Sequence, residues 1–364
     1  MTQNAGEIEL AEKMLVRGNE AIAMGAIEAG CRYYFGYPIT PQNEIPEYMS
    51  AHLPEVGGVF IQAESEVASI NMLLGAACTG ARAMTSSSSP GISLKQEGIS
   101  YIAGSEIPAV IVNMCRSGPG LGGIAPSQGD YFQATRGGGH GDYRTIVLAP
   151  HSVQENYTLT MKAFDLADKY RNPVLILGDS LLGQMKEPLN KIKYKPKVFD
   201  RSWCLDGAKG RKPRLLKSLY LSDGELTVHN WNLYRKYQSL NKEIMFEESN
   251  IEDSDLVLVA FGSVARILKS CVYMAREKGI KLGLFRPITL FPFPTVQLEK
   301  MSQRIKNFMA IELNTGQMVE DLRLAVEKNG ATVDFYGRPP GSIPSPDELY
   351  REVIKIVKKR IKSS

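Results

Sequence analysis

The chain has 364 residues, a length that predicts two domains of ordinary size. Hydrophobic residues make up 43% and charged residues 23%, proportions that exclude a disordered or collagen-like chain. The 43 Lys and Arg exceed the 39 Asp and Glu by only four, too few to indicate a nucleic-acid partner. No run of about 18 apolar residues exists and Met1–Leu15 carries no apolar signal core, so we expect no membrane partner and a cytoplasmic location.

Cysteine and histidine spacing argues against a metal site in this chain. The cysteines stand at least 37 residues apart without a CxxC pair, and the four histidines show no HExxH or HxH spacing. We therefore predict neither a structural zinc nor an iron–sulfur cluster here. Five buried, reduced thiols are expected instead, at Cys31, Cys78, Cys115, Cys204 and Cys271.

Short helical and strand patterns alternate from about residue 16 to residue 185. Apolar residues at helical spacing predict helices at Asn19–Gly30, Glu66–Ala77 and Ile92–Gly104. Apolar and β-branched runs predict strands at Tyr33–Tyr37, Val59–Gln62, Ala81–Thr85, Ile107–Met114 and Pro173–Leu177. The last two runs have no helical period and are typical of strands buried on both faces. This alternation predicts a parallel α/β sheet flanked by helices, and we assign residues 14–185 to it.

The composition changes at about residue 186. Lys186–Lys217 holds eleven Lys or Arg against three Asp or Glu, with several prolines and glycines. Such a stretch could grip phosphates or nucleic acid, but we favour an exposed basic connector, assigned to residues 186–250. A second α/β pattern follows in residues 251–364. Its strands are predicted at Leu256–Phe261, Lys281–Phe285 and Phe308–Glu312, and its helices at Val264–Lys278 and Asp347–Ile361.

Several loops after predicted strands carry unusual residues, and open α/β sheets bind ligands in such loops. In Gly36–Pro41, two prolines hold Thr40 at a strand end. Thr85–Gly91 places five hydroxyls before a Pro-Gly pair, which favours a polar cradle over a flexible loop. Cys115–Gly123 joins Arg116 to a glycine-rich turn, and a guanidinium can hold a carboxylate in two hydrogen bonds. Neither a GxGxxG fingerprint nor a P-loop is present.

The junction Gln62–Val67 contains two carboxylates, Glu64 and Glu66. Residues two apart on a helix point about 200° apart, so only one of them can face a site. A desolvated acid here would suit proton chemistry, whereas spacing alone favours a plain first-turn acid. In a further glycine-rich loop, Gly137–Arg144, His140 has a functional or a structural role, and the sequence does not decide between them.

A series of motifs runs through both predicted domains. The first domain contains YPITP, QAESEVAS, TSSSSPGISLKQEGI, SGPGLGG, PSQGDYFQATRGGGHGDYR and IVLAPHSVQE. The second contains FGSVARI, FRPITLFPFP and IELNTGQM. In this order, the motifs resemble the alpha-type subunit of 2-oxoacid:ferredoxin oxidoreductases. Within that family their wording is most similar to the branched-chain, 2-oxoisovalerate (3-methyl-2-oxobutanoate) type.

The resemblance implies a thiamine diphosphate enzyme, with a pyrimidine-binding domain followed by a domain similar to the transketolase C-terminal domain. Glu66 matches the family glutamate that hydrogen-bonds N1′ of the aminopyrimidine, and Glu64 is the reserve candidate for this catalytic acid. Thr40 and Arg116 match the residues that hold the 2-oxoacid carboxylate. The other residues implied to bind the cofactor are Tyr37, Pro38, Ser87 and Ser88.

Two parts of a complete thiamine enzyme are missing from the sequence. Diphosphate-binding domains carry GDG followed by a magnesium-binding asparagine, but the sequence contains no GDG, and Gly178-Asp179-Ser180 lacks the last glycine. No cysteine pattern holds the iron–sulfur clusters that would carry electrons away. The resemblance therefore implies a beta-type partner subunit with the diphosphate site, Mg²⁺ and a cluster. Gamma and ferredoxin-like delta subunits are also implied.

The implied reaction converts a 2-oxoacid, coenzyme A and oxidised ferredoxin into acyl-coenzyme A, carbon dioxide and reduced ferredoxin. Pyruvate, 2-oxoglutarate and an aryl pyruvate are alternative substrates. A scaffold that only binds partners is an alternative of another class, and the joint presence of Thr40, Glu66 and Arg116 argues against it. The missing GDG motif argues against a self-sufficient decarboxylase or transketolase.

Overall fold

The computed structural model describes residues 13–361, with side chains described as far as residue 358. The helices in this range are α1 (Gly18–Glu28), α2 (Glu44–His52), α3 (Glu66–Cys78), α4 (Ser89–Gly104), α5 (Tyr131–Arg136), α6 (Val153–Tyr170), α7 (Ser180–Gln184), α8 (Glu225–Ser239), α9 (Gly262–Arg276), α10 (Thr295–Arg304), α11 (Met318–Val326) and α12 (Pro346–Ile361). The strands are β1 (Lys13–Arg17), β2 (Tyr33–Gly36), β3 (Val59–Gln62), β4 (Ala83–Ser87), β5 (Ala109–Cys115), β6 (Ile146–Leu148), β7 (Pro173–Asp179), β8 (Lys186–Asn190), β9 (Phe246–Ser249), β10 (Leu256–Val259), β11 (Leu282–Pro287), β12 (Thr289–Phe291), β13 (Asn307–Glu312) and β14 (Thr332–Gly337).

The first sheet has seven strands in the order β12-β6-β7-β5-β4-β2-β3. The strands from β6 to β3 run in parallel, and β12 is antiparallel to β6. Every residue of β5 and β7 is buried, which confirms the prediction of strands covered on both faces. Helices α1 and α6 cover one face, and α3 and α4 cover the other. The expected parallel sheet flanked by helices is therefore confirmed, and it also includes β12 from the second predicted segment, residues 251–364.

Strand β4 continues further than the sequence predicts. We expected it to end at Thr85, but it includes Ser86 and Ser87, which pair with Val112 and Asn113 of β5. The backbone ladder decides where the strand ends, and the polarity of the side chains does not prevent the pairing. The first hydroxyls of the serine run are therefore carried by a rigid strand rather than by a loop.

The second sheet has five strands in the order β14-β13-β10-β11-β9, and β9 runs antiparallel to β11. Helices α9 and α12 cover one face of it, while α10 and α11 cover the other. The predicted strands and helices of residues 251–364 correspond to β10, β11, β13, α9 and α12. The second α/β unit expected from the sequence is thus present.

The predicted connector, residues 186–250, contains regular structure at both ends. Strand β8 pairs with β1, and β9 belongs to the second sheet. Helix α8 buries Leu233 and Tyr237 against the core under α1 and α6, because these residues are spaced i, i+4 and share one helix face. Residues 191–223 form no helix or strand, and they contain most of the basic side chains of the segment.

A buried arginine joins the two halves of the chain. Arg286 of β11, 2% exposed, donates from its two terminal nitrogens to Glu155 of α6 at 2.8 and 3.0 Å. Its Nε donates to Glu247 of β9 at 2.8 Å. Burial would raise the pKa of Glu155, but hydrogen bonds from His151 and Arg286 lower it to about 2. Both carboxylates therefore stay charged around the guanidinium at neutral pH.

Four of the five cysteines are buried, and all five are free thiols. Cys78 is only half-buried, which corrects the expectation for that residue, because it ends α3 where the helix reaches the protein surface. Among the described residues, no helix combines the length and the apolar character that a membrane crossing requires.

We predict that Arg286→Met lowers the free energy of unfolding by roughly 3 kcal/mol, because it leaves Glu155 and Glu247 without their shared cation. Urea unfolding at pH 7 measures the loss. The loss should shrink as the pH falls from 4.5 towards 2, since stability from a lowered carboxyl pKa disappears on protonation. Lys355→Gln, which breaks an exposed pair with Glu352, is the control with a small effect. An equally small effect of Arg286→Met would contradict the prediction.

Candidate functional site

The carboxyl ends of β3, β2, β4 and β5 lie side by side at one edge of the first sheet, because these neighbouring strands are parallel. The chain segments that leave this edge carry the predicted residues Thr40, Glu66, Ser88 and Arg116, and β4 ends there at Ser87. Loops at such an edge are the usual place for a ligand in an open α/β sheet. We therefore treat this edge as the candidate active site.

Glu66 is the first residue of α3 and is only 7% exposed, whereas Glu64 is exposed. The Ser65 hydroxyl caps the helix by accepting a hydrogen bond from the Ala68 amide at 3.1 Å. This cap fixes the start of the helix, so that the two glutamates leave the backbone in different environments. The structure brings Glu66 into the site and leaves Glu64 at the surface.

The absence of a side chain at Gly91 leaves space for the Glu66 carboxyl. A Cβ atom at Gly91 would lie 2.7 Å from Oε1 of Glu66 and would also collide with the Ser87 hydroxyl. Glu66 and Ser87 therefore line the same small space at the start of α4. Any residue larger than glycine at position 91 would fill it.

The hydroxyls of Ser87 and Ser88 are buried, and neither has a hydrogen-bond partner in the described structure. Leaving a buried hydroxyl unpaired costs on the order of 1–3 kcal/mol. The Ser87 hydroxyl, which shares a small space with the Glu66 carboxyl, therefore has an unused hydrogen-bonding capacity.

Arg116 connects the loops on either side of the site. Its two terminal nitrogens donate to the backbone oxygens of Thr40 at 3.1 Å and Leu121 at 3.2 Å. Its Nε is buried without a partner, although the residue is 9% exposed. Thr40 itself is exposed at the end of its loop. The structure thus brings Thr40 and Arg116 together and leaves one guanidinium donor available.

Tyr37 and Pro38 are exposed on the rim of the site. Their loop is held from below by the fully buried Gln42, whose amide donates to the Tyr37 carbonyl oxygen at 3.3 Å. The Gln42 side-chain oxygen accepts a hydrogen bond from Ser86 of β4. The sequence analysis missed Gln42, since a lone glutamine after a proline loop carries no recognisable pattern.

The sequence analysis also missed Lys95, which is fully buried in α4. Its Nζ donates to Thr85 of β4 at 2.8 Å and to Ser69 of α3. Burial lowers the pKa of Lys95 from 10.5 to about 7, although the charge of nearby Glu66 acts to raise it. The available signal was its position: Lys95 occupies a core position of the apolar pattern formed by Ile92 and Ile99.

His140 lies outside this cluster. It is exposed, and its ring packs edge-on against Tyr101 on a later turn of α4, with 6.3 Å between the ring centroids. Its loop is fixed to α4 by other contacts, such as the hydrogen bond from the Gly138 amide to Gln96 at 3.1 Å. The contacts of His140 in the structure are those of a surface residue.

Two family models match the chain. The model for the thiamine diphosphate-binding part of pyruvate flavodoxin/ferredoxin oxidoreductase matches residues 24–238, more than half of the chain. The chain belongs to the 2-oxoacid:ferredoxin oxidoreductase family. A second model, for core domain II of pyruvate:ferredoxin oxidoreductase, matches residues 254–349. The family resemblance and the oxidoreductase class expected from the motifs are thereby confirmed.

Curated relatives cover almost the entire chain. It is 49% identical to ketoisovalerate oxidoreductase subunit VorB of Methanothermobacter marburgensis over 94% of this chain and 97% of that protein. Identity to VorB of Methanothermobacter thermautotrophicus is 51% over 85% of this chain and 89% of that protein. The 2-oxoglutarate synthase subunit KorA of Archaeoglobus fulgidus is 40% identical over 90% of this chain and 95% of its own length.

Solved structures share the fold. A 2-oxoglutarate:ferredoxin oxidoreductase from Magnetococcus marinus, with 2-oxoglutarate, coenzyme A and succinyl-CoA bound, matches with a TM-score of 0.87 at 25% identity. The match covers 95% of this chain and 65% of that one. A split-gene transketolase, an inactive beta4 tetramer, matches at 12% identity with a TM-score of 0.57, over 93% of this chain and 97% of that one. At 12% identity, the transketolase match shows only that the two chains share a fold. The two structural matches together confirm the predicted fold class.

We predict that the stability of the chain rises between pH 7 and pH 9 through Lys95. Its pKa is near 7 when folded and 10.5 ordinarily, so the unfolded chain binds more protons across this range. The contribution is at most about 1.4 kcal/mol per pH unit. Urea unfolding at pH 7 and pH 9 should show this rise in the natural chain and not in Lys95→Met. Lys355→Met is the control and should keep the increase in stability between pH 7 and pH 9. If Lys95→Met keeps the same increase, Lys95 is not the source of the pH dependence.

Proposed function

We propose that this chain is the alpha-type subunit of a complex that oxidatively decarboxylates a 2-oxoacid, with 2-oxoisovalerate as the preferred substrate. A 2-oxoacid, coenzyme A and oxidised ferredoxin would give acyl-coenzyme A, carbon dioxide and reduced ferredoxin. The observation that carries the proposal is the unpartnered Ser87 hydroxyl buried beside the Glu66 carboxyl at the carboxyl edge of the sheet.

The residues at this edge fit the aminopyrimidine half of thiamine diphosphate. That cofactor, when bound, supplies a nucleophilic carbon for attack on the 2-oxo group. Glu66 would hold and release a proton at N1′ of the aminopyrimidine, a role that requires a carboxyl shielded from water. Ser87 and Ser88 would give their free hydroxyls to the polar edge of the ring, and Tyr37 and Pro38 would border it from the rim.

Arg116 and Thr40 would bind the substrate carboxylate. The Nε donor of Arg116 is buried and unpartnered, and a guanidinium paired with a carboxylate forms one of the stronger hydrogen bonds in proteins. Thr40 would add its hydroxyl from the facing loop, which Arg116 holds through the Thr40 carbonyl. The two residues would orient the 2-oxo carbon towards the cofactor.

Two observations support a branched aliphatic substrate over 2-oxoglutarate. The loop that Arg116 holds through Leu121 carries two exposed apolar side chains, Leu121 at 83% and Ile124 at 65%. Apolar side chains would contact a branched alkyl group, whereas a second carboxylate would require another cation. Curated relatives named for ketoisovalerate are 49–51% identical to the chain, compared with 33–40% for those named for 2-oxoglutarate.

Exposed apolar side chains near Glu66 support the binding of a partner subunit next to the candidate active site. Val59 and Ile61 of the edge strand β3 are 42% and 39% exposed, and Val67 and Met72 of α3 are 43% and 36% exposed. Exposed apolar side chains on an edge strand and on the helix that begins at Glu66 favour a protein interface there. The partner would be a beta-type subunit that holds the cofactor diphosphate, Mg²⁺ and an iron–sulfur cluster. The complex would also contain gamma and delta subunits, and it would pass its electrons to ferredoxin. We propose that it is located in the cytoplasm.

We predict that the chain co-purified with its beta-type partner forms acyl-coenzyme A, coupled to reduction of a viologen dye, and that the chain alone does not. Glu66→Gln should lower kcat of the complex by roughly 100-fold or more, because it removes the acid–base group. Glu64→Gln is the matched control and should change kcat by less than about twofold. Full activity of the Glu66→Gln complex would overturn the assigned role, and turnover by the isolated chain would overturn the split site.

We predict that Arg116→Gln lowers kcat/KM by roughly 100-fold for 2-oxoisovalerate, pyruvate and 2-oxoglutarate alike, because all three share the carboxylate that it binds. Arg304→Gln, which changes an exposed arginine of α10, is the control.

In the natural complex, 2-oxoisovalerate should have the highest kcat/KM of the three. A higher kcat/KM for 2-oxoglutarate would show that 2-oxoglutarate is the preferred substrate, and the proposed type of reaction would still hold.

A further inference from the structure

A cavity of about 850 Å³ lies where α8, the loop after β12 and the loop before β6 meet. Its volume is within the range of small-molecule sites, and junctions between chain halves are common places for them. The proposed function does not use it. Its lining includes Arg136, Arg144, Trp231, Tyr234, Phe291 and Phe293.

This cavity lies at the edge of the first sheet opposite to Glu66. Arg144 precedes β6 by two residues, and its backbone oxygen accepts a hydrogen bond from Asn172, just before β7. Helix α8 is fastened to the same edge by Lys236, which donates to the Arg171 carbonyl oxygen at 3.2 Å. The seven residues of β5 span about 23 Å between the two edges, so a ligand here is separate from the proposed active site.

Five aromatic side chains line the walls. Trp231 and Tyr234 project from α8 with 57% and 52% of their surface exposed, and their rings meet edge to face at 5.7 Å. The helix is already anchored through Leu233 and Tyr237, which are buried against the core of the first domain, although Tyr237 also borders the cavity. Packing of the fold therefore does not require Trp231 and Tyr234, and exposed aromatic groups at a cavity offer stacking surfaces to a planar ring.

The cavity also contains a cation without a carboxylate partner. Among the described residues, the Arg144 guanidinium donates only to backbone oxygens, those of Tyr143 at 2.8 Å and Arg136 at 3.4 Å. Arg136 is in contrast neutralised by Asp321 at 3.0 Å. Asp142 also lines the cavity but forms no ion pair with Arg144. A guanidinium free of an ion pair suits a phosphate, which it can bind through two parallel hydrogen bonds. The amide side chains that line the cavity (Asn230, Gln238 and Asn241) could hydrogen-bond the edge of a base.

We infer that this cavity binds a nucleotide, with its base stacked on Trp231 and Tyr234 and its phosphate on Arg144. The shared chemistry is a planar aromatic base joined to a phosphate, which both a free nucleotide and the nucleotide end of coenzyme A possess. The cavity lies far from Glu66. It is therefore a second ligand site and not the site of acyl transfer.

Equilibrium dialysis of the assembled complex against ATP tests the inference, with adenosine and coenzyme A as parallel probes. We expect saturable ATP binding that persists in the Glu66→Gln complex, so the result is independent of the proposed catalysis. Trp231→Leu should weaken the binding of both ATP and adenosine by about 5–150-fold, the value of one base stack. Arg144→Gln should weaken ATP binding and leave adenosine binding unchanged.

Matched controls are Tyr273→Leu, an aromatic residue of α9 that is 67% exposed, and Arg304→Gln, an exposed arginine. Neither should change ATP binding. If coenzyme A binds at least tenfold more tightly than ATP with the same sensitivity to Trp231→Leu, the natural ligand is its nucleotide end. Otherwise the natural ligand is a free nucleotide. No saturable ATP binding, or ATP binding that both cavity variants leave unchanged, would overturn the inference.

Discussion

The parallel alignment of β3, β2, β4 and β5 is the constraint on which the site depends. Parallel strands end at the same edge of a sheet, so residues as far apart in the chain as Thr40 and Arg116 become neighbours through the sheet. Glu66 arrives at the start of a helix, Ser87 at the end of a strand and Arg116 just after another strand. Each position is held by the backbone ladder or by a cap, which leaves the side chains little freedom.

The second half of the chain holds the first half in place. Strand β12 extends the first sheet, and Arg286 binds carboxylates from both halves. Gln128 adds a neutral link, because it exchanges hydrogen bonds with the backbone of Leu313 and donates to the Phe261 carbonyl oxygen. The segment after Arg116 is thus anchored at its far end. A loop held at both ends can keep a guanidinium in a fixed position relative to a ligand.

The site combines unpaired polar groups with a buried carboxyl, whereas unpaired atoms elsewhere in the core, such as the Tyr157 hydroxyl, belong to isolated neutral side chains. The core of the first domain satisfies its charged groups: Arg82, for example, pairs with Asp165 and Asp168 at 2.8 Å. At the carboxyl edge, by contrast, the hydroxyl of Ser87 and the Nε of Arg116 are buried without partners. Lys95 is buried beneath them with neutral hydroxyl partners only. Such groups cost stability in the free chain, and a bound ligand would recover it by supplying the missing hydrogen bonds.

The sequence by itself determined the two α/β units, the central strands and the family, because apolar runs, strand–helix alternation and ordered motifs depend on local spacing. Residue spacing left Glu64 and Glu66 as alternatives, the family motif favoured Glu66, and only the tertiary structure showed that Glu66 is buried and Glu64 exposed. The role of Lys95 beneath the site and the cavity beside Trp231 also came from packing between distant segments. The spacing of residues along one segment contains no information on which other segment will cover it, so these features required the folded chain.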